Sequence, residues 1–473
     1  MTDPQQERPA WERQAEREAR VLGALGVLLC CLVILCLGGD AGGVPVGVGI
    51  PANRAVSAGL ARTPPLGWNS WNARGADVSA ADVRAAADAM VSSGMRAAGY
   101  RYVIIDDGWV APARDGGGNL VANPARFPEG IAALARYVHA RGLLLGIYSS
   151  PGPTTCQGLP GSYGHEARDV ATFAAWGVDY LKYDACSYPG IRPAGTDART
   201  WLVTGFTRMR NALDATGRPI VFSINPSSST DPAAERPWTW APSVAHLWRD
   251  TTDHAPCWAS SAPVITYPGV CTTDNLDTTA AWAPAGGPGH WNDLDMLTTG
   301  LTPDDINVGV EQLAEESTSP PYARLSDAEA RAELSIWSMF ASPLIAGNDL
   351  AAMTPATRAI LTNRAVLAVD QDPLGAAPVR VPRTDGLGLW TRRLAGGDTA
   401  VLTVNRGDTA RTTTIPGTAL SLPAAGPGSY RVTDLWTGAT RTSADGTLPL
   451  TLAPHTATLL RLAPAATSPA AGP

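Results

Sequence analysis

The stretch "ARDVATFAAWGVDYLKYDAC" (167–186) holds the reading that decides the fold. Its first half, 167–177, places alanines and larger apolar residues at helical spacing and stops at a glycine. Its second half, 178–184, is a short apolar run that reads as a buried strand and ends in charged residues. One helix followed by one strand with a carboxylate at its end is the repeating unit of an α/β fold. Lys182 is the only lysine in a chain whose other cations are all arginines. It precedes Asp184 by two, so in a strand both side chains point to the same face.

The unit recurs. Strands are predicted at 66–71, 101–107, 142–149, 178–184, 219–224, 246–250, 291–297 and 343–348, with Ala-rich helical segments between them such as 80–99. Eight such repeats predict a (β/α)8 barrel. The competing arrangement, an open doubly wound sheet, lacks support because no glycine-rich phosphate loop follows any strand. The helical pattern fades near "VLAVDQDPLG" (366–375). Short alternating segments such as "GLGLWTRRL" and "TAVLTVNR" then predict a small antiparallel β-sandwich domain. The expected organisation is a barrel over 63–375, a β domain over 376–465 and a disordered tail over 466–473.

The N-terminal part differs in character. Arg8, Arg13, Arg17 and Arg20 precede the apolar run "VLGALGVLLCCLVILCLGG" (21–39). Residues 1–38 therefore read as a signal peptide or an N-terminal membrane anchor, and 39–62 as a linker. Either reading places the remainder of the chain outside the cell, secreted or held at the surface. Three of the seven cysteines lie in the apolar run. The other four, Cys156, Cys186, Cys257 and Cys271, suit disulfides in an oxidising compartment. Four cysteines allow three connectivities, of which 156–186 with 257–271 is preferred.

A net charge of −7 argues against a nucleic-acid partner. Fifteen tryptophans against five phenylalanines suit either a Trp-rich core or flat platforms for sugar rings. In a barrel, chemistry sits at the C-terminal ends of the strands. Those ends carry Trp71, Asp106, Asp107, Tyr148, Lys182, Asp184, Asn225, Arg249, Asp253, Asp293 and Asp295. A single aspartate there is usually a cap, but carboxylates crowded on one rim need a counter-charge or a task. Glycoside cleavage uses two carboxylates across the scissile bond. A metal hydrolase ranks second, since the six histidines are scattered and form neither HxH nor HExxH. No metal or cofactor is expected, and the expected partner is a carbohydrate.

Several motifs in order complete the picture: "TPPLGWNSWN" (63–72), "IDDGW" (105–109), the run 146–186, "WRDTTD" (248–253), "GPGHWNDLDML" (287–297) and "QDPLG" (371–375). On these the chain resembles the α-galactosidases and α-N-acetylgalactosaminidases of glycoside hydrolase family 27. The resemblance covers about 63 to 465 and implies the barrel, the β domain and retaining hydrolysis of terminal α-galactosyl residues. It implies Asp184 as nucleophile and Asp253 as acid/base. It further implies Asp106 and Asp107 on the sugar's 4- and 6-hydroxyls, Lys182 on the 3- and 4-hydroxyls, and Arg249 on the 2-hydroxyl side. Trp71 would pack on the sugar's apolar face, Tyr148 would stand near the nucleophile, and Asp295 would support the rim. The Cys156–Cys186 disulfide belongs to the same implied set. One loop departs from the family: "SINPSSS" (223–229) lacks the usual cysteine and tryptophan where the 2-substituent is read. Asn225 favours a plain hydroxyl there, whereas Ser227 and Ser228 would leave room for an acetamido group. Alternatives implied by the same resemblance are β-L-arabinopyranosidase and isomaltodextranase activities. A sugar-binding protein on a dead barrel is the rival from another class.

Overall fold

The computed structural model describes residues 59–226, 236–259, 270–302, 305, 324–422 and 429–464. The arginine-flanked apolar run, the linker up to residue 58, Ser227, Ser228 and the tail beyond 464 lie outside the described residues.

Eight parallel strands form one sheet in the order β7-β6-β5-β4-β3-β2-β1-β8. They are β1 (Leu66–Asn69), β2 (Tyr102–Ile104), β3 (Leu144–Ser149), β4 (Tyr180–Asp184), β5 (Val221–Asn225), β6 (Leu247–Arg249), β7 (Trp291–Asp293) and β8 (Leu344–Ala346). The sheet closes where Leu297, just past β7, bridges Ala346 in parallel: Leu297 donates to the Ile345 carbonyl at 2.8 Å, and Gly347 donates to that of Leu297 at 3.1 Å. Closure leaves no free edge, which makes this the barrel that the repeat predicts.

The helices lie outside: α1 (Ala80–Ser92), α2 (Gly130–His139), α3 (Glu166–Trp176), α4 (Ala198–Ala215), α5 (Thr272–Ala280), α6 (Asp327–Phe340), α7 (Pro355–Leu361) and α8 (Arg364–Asp370). Two starts are fixed by reciprocal capping, Ser79 with Asp82 and Ser326 with Glu329. The helical pattern read over 80–99 is broken, because α1 ends at Ser92 and the chain passes through a left-handed Gly94 before a single further turn, Met95–Ala98. Among the described residues of the β5–β6 connection there are two 3₁₀ turns, Pro237–Thr239 and Ala241–Ser243, in place of a helix.

Alternation along the strands makes two layers. Ile104, Tyr180, Val221, Leu247, Trp291 and Ile345 point inward and fill the barrel with an apolar plug. The residues two further along the same strands, Asp106, Lys182, Ser223, Arg249 and Asp293, also point inward and stand above that plug. The intervening Leu181, Tyr183, Phe222, Ile224 and Trp248 face the helices. An apolar floor beneath a polar rim is thus a direct result of period-2 patterning.

Beyond α8, a six-stranded antiparallel sheet, order β14-β13-β16-β11-β10-β9, and a two-stranded sheet, β12-β15, complete the chain. Their strands run from β9 (Val379–Arg380) through β10 (Leu387–Arg393), β11 (Thr399–Asn405), β12 (Arg411–Ile415), β13 (Tyr430–Asp434), β14 (Thr440–Ser443) and β15 (Leu448–Leu452) to β16 (Thr456–Pro464). Leu389, Val401, Ile415, Val432, Leu448 and Leu460 close a separate core between the sheets. Helix α6 joins this domain to the barrel. Trp390 meets Phe340 edge-on at 6.1 Å, and the Arg392 guanidinium donates to the Ser338 carbonyl at 2.9 Å. The Trp436 indole N–H donates to the Ser335 hydroxyl at 2.9 Å.

Candidate active site

The rim is organised around Lys182. From the middle of β4 its ammonium reaches across β3 to Asp106 Oδ2, past the end of β2, at 2.7 Å, and stands 3.7 Å from Asp184 Oδ2. The sequence pairs Lys182 with Asp184, but the tighter partner is Asp106. A strand neighbour two residues away leans the same way as the lysine, whereas Asp106 approaches it from two strands away. Asn69, at the end of β1, donates to the same Asp106 oxygen at 2.6 Å. Burial opposes the charge on Lys182, but Asp106 and Asp184 outweigh it and hold the ammonium above its ordinary pKa.

Asp184 is buried at the end of β4. Its Oδ1 is buried with no hydrogen-bond partner, while Oδ2 faces Lys182. Burial pushes its carboxyl up to about 7 against the pull of Lys182, and the charges of Asp106 and Asp253 add to the rise. A buried oxygen left unpaired costs stability and calls for an occupant. Tyr148, the neighbour of Lys182 on β3, lies under this group. The ammonium stands 5.3 Å from its ring centre, and its hydroxyl is 3.3 Å from Cys186 Sγ. The disulfides formed are Cys156–Cys186 and Cys257–Cys271. Cys156, Cys186 and Asp184 bring three ligand-type atoms within 4.8 Å of one another, but the two sulfurs are bonded together and offer no thiolate.

Asp107 follows, with its N–H donating to Asp106 Oδ1 at 2.8 Å. It accepts from the Gln157 backbone N–H at 2.9 Å, and burial raises its carboxyl to about 6. Trp71 follows β1 on a short helical turn, Trp71–Arg74, and its N–H is held by Asn69 Oδ1 at 2.8 Å. Asn225 ends β5 directly beside Asp184 in the sheet register.

On the opposite wall, Arg249 is a buried fork. One arm meets Asp295 at 2.8 Å and the other meets Asp253 at 3.2 Å. Asp253 lies in the loop four residues past Arg249, not on the strand, and its side chain is 54 % exposed against 9 % for Asp184. The two carboxylates therefore sit in opposite environments on one rim. Asp295 adopts φ 78°, an uncommon conformation for a residue with a side chain, and also accepts from the His254 backbone N–H at 2.7 Å. Asp293 sits below, raised to about 6 by burial despite Arg249.

Asn69, His254 and Glu333 join this network without having been singled out in the sequence. Asn69 lies inside a quoted motif two residues before Trp71, so its place at a strand end was a usable signal. His254 and Glu333 meet only in three dimensions.

A barrel whose C-terminal rim carries both a buried, cation-held carboxylate and an exposed one has the architecture of a glycoside hydrolase. Comparison with known proteins agrees. Residues 63–315 and 322–372 match the family model described as alpha galactosidase A, and 384–462 match the alpha galactosidase C-terminal beta sandwich domain. The chain is 42 % identical over 351 residues to the alpha-galactosidase A of Cellvibrio japonicus, covering 74 % of this chain and 78 % of that one. It is 39 % identical over 412 residues to the alpha-galactosidase of Oryza sativa subsp. japonica, covering 87 % of each. Among solved structures, alpha-galactosidase I from Mortierella vinacea superposes with a TM-score of 0.74 at 32 % identity, over 87 % of this chain and all of that one. The chain belongs to the α-galactosidase family of glycoside hydrolases.

Two outcomes follow from the electrostatics. A carboxyl whose folded pKa lies above its unfolded value near 4 favours folding in its protonated form. That contribution is complete below pH ~4 and is lost as pH rises through about 7. Asp184→Asn removes the cost of ionisation, so its Tm should gain on that of the wild type between pH 5 and pH 8 in scanning calorimetry. A constant or reversed gap would contradict the burial argument. Lys182→Arg keeps the charge but sets a planar fork where a compact ammonium fits between Asp106 and Asp184. It should lower kcat/KM at least ~100-fold, roughly 2.7 kcal/mol of transition-state stabilisation. A near-normal rate would show that charge alone suffices.

Proposed function

We propose that the protein is a retaining exo-glycosidase that removes terminal α-D-galactosyl residues through a covalent glycosyl-enzyme. The observation that carries this reading is the unpaired Oδ1 of buried Asp184, backed by Lys182, on the barrel end that also bears exposed Asp253. Asp184 attacks the anomeric carbon. Lys182 and Arg249 favour its ionised form, and the cost of burying that charge is relieved as the glycosyl ester forms. Asp253, in solvent contact, protonates the departing oxygen and then takes the proton from the attacking water. Asp106, Asp107 and Lys182 read the sugar's hydroxyls and Trp71 supplies an apolar face. The groups differ in chemistry: the two aspartates offer carboxyl oxygens and the ammonium offers three donors.

At carbon 2, Asn225 and Arg249 favour a plain hydroxyl over an acetamido group, because polar recognition penalises an analogue that strands a buried partner. A solved alpha-galactosidase from Saccharomyces cerevisiae, 26 % identical with a TM-score of 0.75, contains raffinose, an α-galactoside. A β-L-arabinopyranosidase from Geobacillus stearothermophilus superposes with a TM-score of 0.70 at 25 % identity. That sugar keeps galactose's ring hydroxyls without carbon 6, so the second reading depends on the carbon-6 contact. Export also belongs to the proposal, as a secreted or surface-anchored enzyme. It is supported by the arginine-flanked apolar run at 21–39 and by two disulfides. Among the described residues no helix is long and apolar enough to cross a membrane.

The test is hydrolysis of nitrophenyl glycosides followed by proton NMR. α-Galactose should be the first-formed product, and kcat/KM for the α-galactoside should exceed that for the α-N-acetylgalactosaminide at least ~10-fold, about 1.4 kcal/mol. β-Galactose as first product would overturn retention. Preference for the N-acetylated substrate would overturn the role of Asn225.

A further inference from the structure

Asp253 poses a mechanical question. Its side chain is exposed and its one ion-pair partner among the described residues is Arg249 at 3.2 Å. Its aim must therefore come from the backbone that carries it. That backbone is tied down one residue later. His254 is buried, and both of its ring nitrogens face acceptors: Nδ1 lies 2.8 Å from the Val270 carbonyl oxygen and Nε2 lies 2.9 Å from Glu333 Oε1. The ring is thus held at both nitrogens, between the loop main chain on one side and α6 on the other. Glu333, buried in the middle of α6, is a saturated acceptor. Oε1 receives the Thr298 N–H and hydroxyl, at 2.9 and 2.5 Å, and Oε2 receives those of Thr299 at the same two distances. Burial would raise the Glu333 carboxyl, yet the hydrogen bonds from His254, Thr298 and Thr299 hold it below its usual value.

The same residues lock the loop by its main chain. Val270 N–H donates to the Asp253 carbonyl at 2.8 Å, Ala255 N–H to the Val270 carbonyl at 3.0 Å, and His254 N–H to Asp295 Oδ2 at 2.7 Å. The Trp337 indole, four residues after Glu333 on α6, donates to the Asp295 carbonyl at 2.8 Å, with its ring 4.8 Å from that of His254. One turn of α6 thus grips both the segment bearing Asp253 and the aspartate that holds Arg249.

We propose that His254 and Glu333 are positioning residues of the reaction: their buried hydrogen bond fixes the segment that carries Asp253 and so aims its proton at the departing oxygen. This rests on the reading of Asp253 as the acid/base. Neither residue touches the sugar; each acts through the main chain of its neighbour. A displacement of about 1 Å is enough to cost on the order of 100-fold in a proton transfer held by geometry.

The experiment compares two substrates that differ in how much acid assistance their departure needs. α-Galactosyl fluoride departs with little help, whereas methyl α-galactoside needs a full proton. In His254→Leu, kcat/KM for the methyl glycoside should fall at least ~10-fold more than for the fluoride, with KM little changed. His254→Gln, whose amide donates to one of the two acceptors, should recover part of the loss and keeps the test alive if the leucine variant does not fold. Equal losses on both substrates, or none in either variant, would overturn the inference. Asp253→Ala is measured alongside. If it is selective while the His254 variants are not, only the inference falls. If it is not selective, the acid/base assignment falls and takes the inference with it.

Discussion

The ammonium of Lys182 between Asp106 and Asp184 is the interaction on which the rest of the site depends. Without it, two buried aspartates would share the barrel mouth with no cation between them, a costly arrangement of like charges. The fold supplies the conditions for this triad. Closing eight strands over an apolar floor of Ile104, Tyr180, Leu247 and Trp291 excludes water from below, and period-2 alternation delivers the charged residues one layer above. Everything that faces the sugar in our reading hangs on those two consequences of patterning.

The opposite wall solves a different problem. An acid that must donate and then accept a proton is served by solvent contact, and solvent contact means a loop. A loop residue lacks the rigidity of a strand, and Asp253 receives it at second hand from Arg249, Asp295 and the buried His254–Glu333 pair. The barrel thus holds its two proposed reacting carboxylates by different means, one on a strand and one by a clamp from α6. The β domain packs against that same helix through Trp390, Arg392 and Trp436, so the clamp is braced from behind.

Much of this was legible in the chain. The strands could be read because each is a short apolar run closed by polar residues, and the rim could be read because period 2 fixes which residues share a face. Lys182 announced itself as the single lysine in the chain. What escaped reading depends on contacts between distant segments. Lys182 prefers Asp106, 76 residues away, to Asp184. His254 and Glu333 are 79 residues apart and carry no local pattern that joins them. The break of the first helix at Gly94 is local, yet alanine-rich periodicity on both sides concealed it.

The central claim is that Asp184 forms the covalent bond to a galactosyl group, and the most direct measurement is to trap that bond. A fluorinated galactoside with a good leaving group, which forms the glycosyl-enzyme faster than it is released, should add one sugar mass to the intact protein. Peptide mass spectrometry should then place that mass on the segment containing "KYDAC" (182–186), at Asp184. An adduct on the peptide that carries Asp253, or turnover with no adduct at any stage, would contradict the account.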